Sequence, residues 1–259
     1  MKTMRIVLFI ALMAISIPAT AQIDGTAAIA AGRTQIEAAV KSWQLDALMA
    51  ARAHFERLAG QTDQEAWALY YLAYAESRIV NFYFSEENMD DAKPFVNAGI
   101  AHLETSLEIN PANADAKALL ASLLGNKIAF NPFSGMTLGP KSGRLIGEAF
   151  ALAPENPRVS LIAGQSAFYT PKMFGGGKEK ALKHFQEALK KYRHNAPAEP
   201  LAPRWGRVDA HIYCGLSHMD LKEYAEARTA FNQALTLEPG HGWVSLVLLP
   251  ELEKRASAE

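Results

Sequence analysis

Gly175-Gly176-Gly177-Lys178 could in principle cradle a phosphate: glycines let backbone N–H groups approach an anion, and a lysine can reach its charge. The full G-x-x-x-x-G-K-S/T spacing is missing, and nothing ahead of the loop reads as a strand. A glycine run of this kind is expected to be a turn that stops one helix and lets the next begin. The seven histidines are His54, His102, His184, His194, His211, His218 and His241. Only His211 and His218 share one expected helix, two turns apart, which is too far for a single metal ion without a bend. Cys214 lies between them. Its place in the helix predicts a buried thiol, and the spacing is expected to send the two imidazoles to other faces. Glu86-Glu87 and Asp90-Asp91 fall in an expected interhelical loop, as solvated charges and not as an acid–base pair. No catalytic constellation, cofactor site or metal site is expected, and the chain is not expected to be an enzyme.

The elements that carry these residues come from a chain of 259 residues, 49% hydrophobic and 20% charged, which is a globular composition. A formal net charge of −1 argues against a nucleic-acid binder or a polybasic membrane-surface protein. The single cysteine excludes an intramolecular disulfide. Residues 1–21 read as a secretory signal peptide. Lys2 and Arg5 precede the apolar run Ile6–Ile17, Pro18 breaks it, and Ala19-Thr20-Ala21 offers a small-x-small cleavage site. Cleavage after Ala21 would leave Gln22 first, with no following cysteine to carry a lipid. The expected location is the periplasm or the exterior, and no later stretch is expected to span a membrane.

Residues 22–259 read as helical repeats. The clearest unit is 208–241, with Gly215, Ala227, Phe231, Ala234 and Pro239 at repeat positions 8, 20, 24, 27 and 32. Small residues at 8 and 20 allow paired helices to approach, Phe at 24 fills the space to the next repeat, and Pro ends the second helix. The same pattern recurs in repeats 32–65 (Ala39, Ala51, Phe55, Leu58), 66–113 (Ala73, Gly99, Leu103, Ser106), 114–156 (Ala121, Leu145, Ala149) and 157–207 (Gly164, Ala181, Phe185, Ala188). Against a template of about 34 residues, the second, third and fourth repeats carry inserts of roughly fourteen, nine and five residues between their helices, and the first carries none. A proline-rich connector, 194–203, precedes the last repeat, and residues 242–257 are expected to cap the stack. Helix-start signals stand at Asn113 or Asp115 and at Asn156-Pro157. The predicted fold is all-α: a superhelix of about five antiparallel helix pairs plus a C-terminal capping helix.

These spacings resemble the tetratricopeptide repeat (TPR) superfamily over nearly the whole chain after residue 21. The loop Pro171–Gly177 with Lys180-Ala181 is similar to exported bacterial TPR proteins of the TRAP-transporter-associated, TatT-like kind. The resemblance implies a scaffold that binds a protein or peptide on a concave face lined by the first helix of each pair. By that pattern the lining includes Trp43, Trp67, Tyr70, Tyr74, Arg158, Gln165 and Phe168. The Lys/Asn set with which chaperone-type TPR domains clamp a carboxylate is absent. The expected function is a periplasmic adaptor for a protein or peptide; the alternative is a small-molecule-binding component of a transport system. The apolar inserts Asn81–Phe95 and Phe130–Leu138 could instead fold over this groove and bury it.

Overall fold

The structure, a computed structural model, describes residues 24–194 and 199–258; the expected signal peptide lies outside them. Five helix pairs follow one another: α1 (Gly25–Ser42) with α2 (Leu45–Leu58), α3 (Glu65–Ser85) with α4 (Met89–Ile109), α5 (Ala114–Phe130) with α6 (Gly135–Leu152), α7 (Pro157–Tyr169) with α8 (Lys178–Tyr192), and α9 (Arg207–Asp220) with α10 (Tyr224–Leu237). A π-helical turn, Trp243–Leu248, leads into α11 (Leu249–Ser257). The described residues contain no strand, and the pairs pack antiparallel as a helical repeat stack.

Local chemistry explains the boundaries. Asn113 Oδ1 accepts from the Ala116 N–H at 3.0 Å and starts α5. Asn156 Oδ1 accepts from the Arg158 N–H at 3.0 Å, with Pro157 in the first turn of α7, where its missing N–H costs nothing. Asp24 and Asn88 cap α1 and α4 in the same way. Asp90 and Asp91, expected in a loop, occupy the first turn of α4, where negative charge offsets the helix dipole.

Pairing rests on a repeated contact between a glycine and a phenylalanine ring. A Cβ on Gly215 would lie 2.4 Å from the Phe231 ring, and one on Gly164 would lie 2.4 Å from Phe185. Ala227, Ala234, Ala181 and Ala188 are fully buried around those rings. In the first pair, Gly32 takes this place against Phe55, at 2.5 Å. The repeat therefore begins at Gly25, and Ala39 is not its position 8. α1 accordingly runs 18 residues, against 14 in α9. The inserts of the second and third repeats are mainly helical. α3 and α4 run 21 residues each, separated only by Glu86–Asn88, and residues 130–138 hold the end of α5, a 3-10 turn, Pro132–Ser134, and the start of α6. Neither insert is a loop laid over the concave face.

Gly215→Ala is expected to lower stability by about 1–3 kcal/mol, because the methyl group has no room beside Phe231. Gly143→Ala and Gly147→Ala, on α6 with nothing within 4 Å of the added carbon, are expected to raise it by about 0.5–1 kcal/mol. Thermal melts followed by circular dichroism should show these opposite signs; a neutral Gly215→Ala would refute the packing role.

Candidate functional site

The concave face is occupied by the chain's own connector between α8 and α9. Arg33 on α1 donates through Nη1 to the carbonyls of Pro200 (3.1 Å) and Ala202 (3.3 Å). Tyr71 Oη donates to the Leu201 carbonyl at 2.8 Å. Trp205 Nε1 donates to Tyr70 Oη at 2.9 Å, and its indole stacks on Tyr74 with centroids 4.7 Å apart. Tyr192 Oη donates to the Trp205 carbonyl at 3.0 Å. Gly206 follows in the left-handed region (φ 109°), where a Cβ would strike Tyr192 Oη at 2.0 Å. Leu201 is buried, and Trp205 packs against three of the four apolar clusters.

Two buried ion pairs flank this plug. Arg158 on α7 meets Asp115 on α5 at 2.6 and 3.3 Å, and Arg78 on α3 meets Asp209 on α9 at 2.8 Å. Burial works against both guanidinium charges, but the facing carboxylates outweigh it and hold both pKa values above the ordinary arginine value. Burial raises the Tyr70 and Tyr74 hydroxyls and pushes Tyr71 up to about 12, with Arg33 pulling Tyr71 the other way. These phenols stay neutral donors and acceptors.

The residues expected to line a groove are therefore mostly interior. Tyr70, Tyr74, Arg158 and Phe168 are buried, as is Trp43; Trp67 and Gln165 are half-buried. Tyr70 and Tyr74 sit under Trp205. Trp67 stands edge-on to Tyr70. Phe168 carries Lys178 Nζ over its ring at 3.2 Å. Trp43 lies away from these, at the seam where the chain's end meets α1, stacked on Trp243 at 5.2 Å. Leu201, which is buried, and Trp205, which is half-buried, are the residues of this face that repeat spacing missed. The signal available was two large apolar side chains inside a proline-rich connector.

The glycine loop is a turn. Gly176 passes so close to the Thr170 carbonyl that a Cβ would lie 1.9 Å from its oxygen, and the Gly177 N–H donates to the Ala167 carbonyl at 2.8 Å. Its lysines are engaged: Lys178 with Asp220 at 2.9 Å, Lys180 with the Gly175 carbonyl at 2.8 Å.

His211, Cys214 and His218 do share a face, contrary to expectation. They line one groove of about 350 Å³ between α8, α9 and α10, because steps of three and four residues stay on one helical stripe. His218 Nδ1 lies 2.6 Å from Glu223. Burial alone pushes the Cys214 thiol up to about 12, so the nucleophilic thiolate is scarce at neutral pH. Burial and then the charge of Arg207 lower His211. Among the described residues, no three His, Cys, Asp or Glu side chains are placed to hold a metal ion.

Large apolar side chains are also exposed in the loops within pairs. α5 and α7 are the first helices of neighbouring pairs and run the same way, so the turns that follow them lie at one end of the stack. The turn after α5 exposes Phe133 (86%) and Met136 (83%); that after α7 exposes Met173 (82%) and Phe174 (72%), beside Tyr169 (66%). These two turns thus carry five large exposed apolar side chains, and exposed apolar surface is of the kind that marks interaction sites.

Residues 208–241 match the family model described as Tetratricopeptide repeat. Those residues are a tetratricopeptide repeat, and the described chain has a TPR-like helical repeat fold. The solved structures it is similar to include the HusA haemophore from Porphyromonas gingivalis, at 25% identity over 76% of this chain and 95% of that one, with a TM-score of 0.61. A thermophilic TPR protein of Thermus thermophilus shares the fold at 15% identity, covering 86% of this chain and 98% of that one, with a TM-score of 0.58. No curated protein matches the chain in sequence.

Trp205→Ala is expected to cost about 3 kcal/mol by leaving a cavity against three clusters. Trp205→Phe keeps most of the packing, loses the bond to buried Tyr70, and is expected to cost about 1–2 kcal/mol. Urea unfolding distinguishes them; equal midpoints for all three proteins would show that Trp205 is not structural.

Proposed function

We propose that this chain is an exported TPR binding protein with no chemistry of its own, and that it takes a protein partner on the apolar edge carrying Phe133, Met136, Tyr169, Met173 and Phe174. The single observation behind this reading is the exposure of those side chains while the concave face is filled from within. Aromatic and methionine side chains are enriched at protein interfaces, and each sits on a short 3-10 turn or beside one, held by helix pairs behind it. Export rests on the signal-like residues 1–21, and association with a transport system rests on the Pro171–Gly177 loop.

A photo-crosslinking residue at position 133 or 174 should capture one partner in cells, and the same residue at exposed Glu226 on α10 should not. Phe133→Ser with Phe174→Ser should leave the melting temperature within about a degree and weaken the captured complex at least tenfold, the loss of one interface anchor of about 1.4 kcal/mol. Equal capture from position 226 would sink the assignment.

The likeness to a haemophore favours a second reading, in which the same edge receives haem. A flat, largely apolar macrocycle suits a surface of aromatic and methionine side chains, and methionine and tyrosine are known axial ligands of haem iron. Titration with haem should then give a saturable Soret shift that Met136→Ala, Met173→Ala or Tyr169→Phe alters. A featureless titration would leave the protein-partner reading standing and remove this one.

A further inference from the structure

The connector sits on the concave face in the manner of a bound peptide. Residues 199–206 have neither helix nor strand, apart from one turn closed by the Ala202 N–H on the Glu199 carbonyl at 3.1 Å. Groove side chains address its backbone: Arg33 takes two acceptors on either side of Leu201, Tyr71 takes the third between them, and Tyr192 takes that of Trp205. Two side chains fill apolar positions: Leu201, which joins the cluster of α1–α6, and Trp205, which stacks on Tyr74 and donates to Tyr70. Pro200 and Pro203 restrict the segment before it binds, so little conformational freedom is lost on seating. Carbonyl acceptors read by side-chain donors, with two apolar anchors four residues apart, are the features of a peptide recognition site.

We propose that the concave face is a peptide-reading site held by the chain's own residues 199–206, and that it accepts in exchange a partner segment of the same chemistry: non-helical, proline-flanked, with a leucine four residues before a tryptophan. Tethering explains why the face is closed. The connector spans only residues 193–206 between α8 and α9, and a short tether presents its ligand at an effective concentration on the order of millimolar. A free peptide with an intrinsic Kd of about 10 μM would therefore bind the intact chain roughly 100-fold more weakly. The site is distinct from the apolar edge.

The test uses the full chain with Leu201→Ala and Trp205→Ala, which empties both anchor positions while leaving the tether in place. The probe is a capped synthetic peptide of residues 199–207, with a control peptide carrying the same two alanines. The variant is expected to bind the probe saturably by isothermal titration and to gain melting temperature with it. The control should bind at least 100-fold more weakly, and wild type should resemble the control. If the double variant does not fold alone, the probe should restore its circular dichroism on refolding and the control should not. A folded variant that ignores the probe, an unfolded variant that the probe does not rescue, or a wild type that binds as tightly as the variant would each overturn the proposal.

Discussion

The insertion of Trp205 and its flanking backbone into the concave face is the constraint on which the rest of the molecule depends. In a repeat stack each unit ordinarily touches only its neighbours, so stability is a sum of local terms. Here the connector between α8 and α9 reaches α1 through Arg33 and α3 through Tyr70, Tyr71 and Tyr74. The apolar interior is divided into four clusters, and Trp205 touches three of them. A side chain in that position couples helix pairs that would otherwise be independent. It also satisfies the buried polar groups it covers, because tyrosine hydroxyls in a dry interior need partners.

The buried ion pairs act on the same geometry. Arg78 and Asp209 join the second pair to the fifth across the interior, and Arg158 joins Asp115 in the pair before it. Such pairs gain little net stability, since desolvation offsets their attraction, but removing one partner leaves an uncompensated charge at a cost of about 3–5 kcal/mol. Their effect is on arrangement: a stack with a different curvature would strand four buried charges. Arg78 keeps Nε and one Nη without a hydrogen bond. It tolerates this beside the Tyr74 ring, 5.8 Å from its centroid, where the face of an aromatic ring attracts a cation.

Helix pairing was legible because it rests on local size. Gly215 with Phe231 and Gly164 with Phe185 stand at repeat spacings, and a glycine opposite a phenylalanine has few other uses. The first repeat was misplaced because Ala39 is as small as the pattern demands, and only contact with Phe55 selects Gly32. The inserts were read as loops because they exceed the template, yet Phe82, Tyr83 and Phe84 continue the apolar side of α3 by one more turn, with nothing to stop the helix before Glu86. The connector was invisible for a different reason. Its prolines report a break in helical structure, but not which surface the broken segment covers, and its partners on α1 and α3 lie more than a hundred residues away. Stripe geometry alone should have placed His211, Cys214 and His218 on one face.

The seam between the chain's two ends shows how far closure goes. Trp43 ends α1 in the left-handed region, φ 53° and ψ 44°, a conformation that costs an ordinary residue about 1–2 kcal/mol. It places the indole against Trp243 on one side and Phe82 on the other, with centroids 5.2 and 5.7 Å away. Burying that ring returns more than the backbone strain takes, at roughly 25 cal/mol per Å² of apolar area. Gly242 completes the fit, since a Cβ there would lie 2.7 Å from that of Trp43. The first pair is thus joined to Trp243 at the seam and to the connector inside. A ligand that meets the apolar turns and one that displaces the connector would reach the chain by routes that differ in kind. The first needs only exposed side chains, whereas the second needs a competitor that reproduces the contacts of residues 199–206.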